Sequence, residues 1–204
     1  MQGKPLIDDW RNQKVLFISQ APSKQAWADN KLSSLENKFF SDFRLPQVFP
    51  SLPLKEAFEM WKSTVFWMHT ANCYPYIFSD GRNKGRDRLP DLKCANKYIG
   101  LIINKMKPEF IVLMGGSSTK YFAKSIRELI DSKKNYPSLE EILYWQKDNA
   151  SCLLVKPKIG NTKFRAIAIP HAADFGDLSD VGKYAYEDVF RLIQEISVDM
   201  HAIR

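Results

Sequence analysis

The chain has 204 residues, 45% of them hydrophobic and 13% aromatic, enough to close a core without disulfides or metals, and one domain over residues 1–204 is expected. No apolar run is long enough to cross a bilayer, and Met1-Gln2-Gly3-Lys4-Pro5 lacks the charged-then-apolar start of a secretion signal, so a cytoplasmic protein without a membrane partner is expected. A net charge of +7 and a pI of about 9.2 favour polyanionic partners, and three scattered cysteines make a poor disulfide framework and suit a reducing compartment.

The first element is the apolar β-branched run Val15-Leu16-Phe17-Ile18, which reads as a strand buried on both faces and stops at the turn Ser19-Gln20-Ala21-Pro22-Ser23. Residues 24–53 carry several prolines and no sustained period, predicting a long irregular excursion with short helical turns. A short helix over 54–62 and a second strand over 64–71 follow. Residues 79–90 then form a Gly-containing surface loop crowded with Arg82, Lys84, Arg86 and Arg88, a composition suited to phosphate contacts. From Pro90-Asp91 a helix runs with Ile99, Ile102, Ile103 and Met106 at helical spacing and ends before Lys107-Pro108.

Residues 110–114 read as a third buried strand, closed by Gly115-Gly116-Ser117-Ser118, whose serines are expected to cap a helix running to about Ser132. Ser138 and Glu141 stand at capping-box spacing ahead of another short helix. Residues 151–155 and 164–169 flank Gly160-Asn161 as a hairpin, and the second of these runs ends in Pro170-His171-Ala172-Ala173. An amphipathic helix over 180–198 closes the chain through Val189, Leu192, Ile193 and Ile196. Strands alternating with helices or long crossovers predict a mainly parallel sheet with helices on both faces, an α/β/α sandwich of three layers. In such a sheet Gln20 and His171 share the carboxyl edge, where open α/β sheets bind their ligands.

Four blocks taken together, Ser19-Gln20-Ala21-Pro22-Ser23, residues 37–42 with Phe40, Cys73-Tyr74-Pro75 with Arg88-Leu89-Pro90 and Cys94, and Pro170-His171-Ala172-Ala173, resemble the uracil-DNA glycosylase superfamily. The nearest branch is the iron-sulfur, family-4-like one, and the blocks cover nearly the whole chain. The resemblance implies a four-stranded parallel sheet and a monomeric hydrolase that flips a uracil or related deaminated base out of DNA and cuts its N-glycosidic bond. It implies a base pocket of Ser19, Ala21, Pro22, Ser23 and Phe40, with Phe40 stacking on the ring and His171 donating to the oxygen of the departing base.

The resemblance also exposes departures. Relatives carry an acidic residue or asparagine in the first block, whereas this chain offers Gln20 and Ala21; Gln20 orients water without accepting its proton, and Asp42 is a candidate replacement. The amide that reads uracil aligns with His69, while Asn72 is the nearby amide, and both are pocket candidates. A superfamily member that binds DNA or a nucleobase without excision is therefore the alternative. Cys73 and Cys94 match one pair of iron-sulfur ligands; a 4Fe-4S cluster is expected only if a longer amino terminus supplies two more thiolates, and no cofactor is otherwise required.

Overall fold

Apolar runs that are buried on both faces organise the molecule, and each becomes a strand. The computed structural model describes residues 12–20, 45–70, 92–150, 152–158, 160–171 and 179–202. Strands β1 (Val15–Ser19), β2 (Val65–His69) and β3 (Phe110–Met114) are buried at every position. Strands β4 (Leu153–Val155) and β5 (Phe164–Ile169) complete one sheet of order β2-β1-β3-β5-β4. The first four of these are mutually parallel, and β4 runs antiparallel along β5.

The sheet thus has five strands, not the four expected. The added one is β4, the first arm of the hairpin around Gly160, which takes a positive φ of 94° that favours glycine. It is short and sits at the edge, so the parallel core of the sheet is undisturbed.

Seven helices occur among the described residues: α1 (Leu45–Val48), α2 (Leu54–Thr64), α3 (Leu92–Met106), α4 (Gly116–Tyr121), α5 (Ala123–Ile130), α6 (Leu139–Asn149) and α7 (Asp180–Ala202). Strand alternation sends Val15, Phe17, Val65, Trp67, Val112 and Ile167 to one face, where they meet Leu45, Trp61, Tyr186 and Val189 of α1, α2 and α7. Leu16, Ile18, Phe66, Met68, Ile111 and Ala168 face the other way, onto Ile99 and Ile103 of α3, Tyr121 of α4 and Ile126 of α5. Two apolar clusters on opposite sides of one sheet are compatible with a three-layer sandwich.

One expectation fails locally. The helix predicted to run unbroken to Ser132 is interrupted at Phe122, and no serine caps it: Gly115 occupies the cap position, and Ser118 Oγ instead donates back to the Gly115 carbonyl at 2.8 Å. Consecutive Tyr121 and Phe122 are both buried and pack edge-on at 4.7 Å; successive side chains of one helix point about 100° apart, so the break lets both rings enter the core.

Candidate functional site

Parallel strands deliver their last residues to one edge, and in β1 and β2 those residues are polar, Ser19 and His69. The register sets Ser19 of β1 directly beside His69 of β2. Both are buried, at 2% and 5% exposure, so their polar atoms need partners inside the protein. Trp67 Nε1 donates to Ser19 Oγ at 2.8 Å, and Ser19 Oγ in turn bonds His69 Nδ1. The Ser19 hydroxyl thus bridges the Trp67 indole and the His69 imidazole, accepting from the first and sharing a proton with Nδ1 of the second.

Burial lowers the His69 pKa from 6.5 to about 3, and the nearby His171 acts in the same direction. At neutral pH His69 is therefore an uncharged imidazole, a hydrogen-bonding group and not an acid. The strand exits are tied together just beyond the sheet. Thr70 donates its N–H to the Ser19 carbonyl at 2.8 Å and its hydroxyl to the Gln20 carbonyl at 2.5 Å.

Across β3, the Gly115 N–H donates to the Ile169 carbonyl at 2.8 Å, joining that exit to the end of β5. His171 follows two residues later, half-buried. A Cβ built on Gly115 would stand 3.5 Å from the His171 Cβ and 3.6 Å from its Cδ2, so the imidazole lies flush against a glycine whose φ is +79°. Tyr186 of α7 fixes the approach from below, its buried hydroxyl donating to the Pro170 carbonyl at 3.0 Å. The carbonyl preceding His171 and one face of its ring thereby each have a partner.

Of the residues singled out from the sequence, Ser19, Gln20, His69 and His171 come to this one edge, and His69 and His171 interact electrostatically. Ala21, Pro22, Ser23, Phe40, Asp42, Asn72, Cys73, Arg82, Lys84, Arg86 and Arg88 lie outside the described residues. Cys94 falls in the first turn of α3. Two thiolates are half of what a four-iron cluster uses.

Three contributors were not anticipated. Trp67 and Tyr186 each donate a polar hydrogen to the site's framework. Gln146 of α6, also buried, accepts from the Ala168 N–H at 2.8 Å and donates to the Ala168 carbonyl at 3.0 Å. Strand β4 pairs with β5 only as far as Ala166, and the Gln146 amide takes over that edge where the strand stops.

No family model matches the chain, and no curated protein matches it.

Proposed function

We propose that the chain is a monofunctional DNA glycosylase with a uracil-DNA glycosylase-like sandwich, β4 being an appended edge on its four parallel strands. The observation that carries the reading is His171, emerging from β5 beside Gly115 at the same sheet edge as Ser19-Gln20 and the neutral His69. In this reading a deaminated base leaves the duplex and enters that edge, with the basic loop of Arg82, Lys84, Arg86 and Arg88 on the DNA backbone.

The C1′–N bond breaks with its electron pair moving onto the base. His171 donates a hydrogen bond to the base oxygen as that charge builds, a contribution of about 10²–10³ in rate for a preset donor. Water adds to C1′, oriented by the Gln20 amide, and its proton passes to solvent or to Asp42. The base takes up a proton and leaves an abasic site. His69, a neutral imidazole bonded to Ser19, reads the base edge by a hydrogen bond, with uracil, hypoxanthine or xanthine as the candidate bases.

Incubation with labelled oligonucleotides carrying each of these bases, followed by alkali, tests it. Strand cleavage is expected for at least one of them, falling at least tenfold in His171→Ala. Absence of product from folded protein on all of them would reject excision. The second reading, binding without excision, rests on Gln20 standing where relatives carry an acidic residue or asparagine. Tight binding of uracil-containing DNA with no turnover over many hours would select it.

A further inference from the structure

Among the described residues, basic charge gathers on α3, α4 and the β4–β5 turn and acidic charge on α7, across the sheet from them. Helix α3 carries lysines and no acidic residue, α4 carries Lys120, and the β4–β5 turn adds Lys156, Lys158 and Lys163, again without an acid. Between residues 92 and 130 the acids are Glu109, which pairs with Lys14 at 2.9 Å, and Glu128. On the opposite face α2 is balanced, and α7 has five acidic residues against Lys183 and Arg191.

The basic segments are packed into one layer. A Cβ at Gly160 would come within 3.0 Å of Asn104 Oδ1, seating the turn against α3. The Tyr121 phenol of α4 feels the backbone of both Lys158 and Gly100, and Lys158 Nζ lies 5.5 Å from the centre of its ring. The Lys156 N–H donates to Ser125 Oγ of α5 at 3.1 Å. Lys97, Lys105, Lys120, Lys124, Lys156 and Lys158 are all exposed on the segments so joined.

We propose that this layer is a second binding surface for the phosphate backbone of nucleic acid, separate from the strand-end edge. The 15 residues of α3 extend about 22 Å, which is roughly six phosphate steps along one strand. The acidic α7 face repels the same polyanion, so the molecule presents one side to it. A lipid surface fits less well, because among the described residues the exposed apolar groups of α3 are Leu101 and a Tyr98 ring that Lys97 approaches at 5.3 Å, too little to insert into a bilayer. The choice of nucleic acid as the partner rests on the reading under Proposed function; the charge division does not.

The test is fluorescence anisotropy on a uracil-free duplex between 50 and 200 mM KCl, comparing the wild type with a Lys97→Gln, Lys120→Gln, Lys124→Gln, Lys156→Gln variant of unchanged circular dichroism. The slope of log affinity against log salt should become shallower by about 2–4, near 0.9 for each phosphate no longer neutralised, with at least a tenfold loss of affinity at 50 mM. Lys55→Gln with Lys183→Gln on the other face should change neither. An unaltered slope, or an equal loss in that control, would overturn the proposal, as would phosphatidylserine-containing vesicles losing affinity while DNA binding stays the same. Because the probe holds no excisable base, failure of the glycosylase reading leaves this measurement interpretable.

Discussion

His69 shows how a side chain that usually titrates near neutrality is taken out of that role. Its folded pKa of about 3 lies below the ordinary 6.5, so the unfolded chain binds the proton first. The stability that comes from keeping the ring neutral is therefore complete above pH 6.5 and drains away as the pH falls towards 3. Each pH unit inside that window is worth up to about 1.4 kcal/mol. Urea unfolding of the wild type should consequently lose about 2 kcal/mol more between pH 7 and pH 5 than His69→Asn loses. Parallel pH profiles for the two proteins would mean that His69 remains protonatable in the fold. The difference in slope is the relevant readout, since the substitution also removes the bond to Ser19 and shifts the absolute stability.

At the level of elements, local signals made most of the fold legible. Strand β3 begins and ends where its apolar run does, and Ser138 caps α6 by accepting from the Glu141 N–H at 3.2 Å, with Glu141 drawn down in pKa by Ser132, Lys134 and the Ser138 backbone. The strand-end placement of Ser19 and His171 followed from the same apolar-run logic. What stayed hidden depends on partners far along the chain. Trp67 reaches Ser19 across 48 positions, and nothing near residue 67 marks its N–H as a framework donor. The break at Phe122 answers to the core on which two adjacent rings converge, and the role of Gln146 exists only because β4 stops short. That role is testable. Gln146→Leu would strand the Ala168 N–H and carbonyl in a buried setting, at about 1–3 kcal/mol for each group left unpaired, so chemical denaturation should show a loss of about 2–6 kcal/mol. Since Ala168 lies three residues before His171, any excision activity should fall as well. A variant as stable as the wild type would show that water or a neighbouring group replaces the amide.

For the molecule as a whole, the two apolar clusters cannot be independent, because every strand of the parallel core contributes alternate residues to each. In β1, Val15 and Phe17 belong to the α7 side while Leu16 and Ile18 belong to the α3 side, and the same interleaving holds in β2 and β3. Losing either helical layer exposes one set of these residues and strips the support from backbone that the other set requires. The native state should therefore melt as one unit, even though a chain of 204 residues is long enough for intermediates. Tryptophan placement allows this to be measured: Trp61 and Trp67 are buried in the α7-side cluster, whereas Trp145 is packed against the other. Ile103→Ala cuts the α3-side cluster alone and should cost about 2–5 kcal/mol. If the sheet couples the two sides, tryptophan fluorescence and far-ultraviolet circular dichroism will still trace the same, uniformly shifted urea transition in that variant. Transitions by fluorescence and circular dichroism that no longer coincide in that variant would mean that the two sides come apart separately.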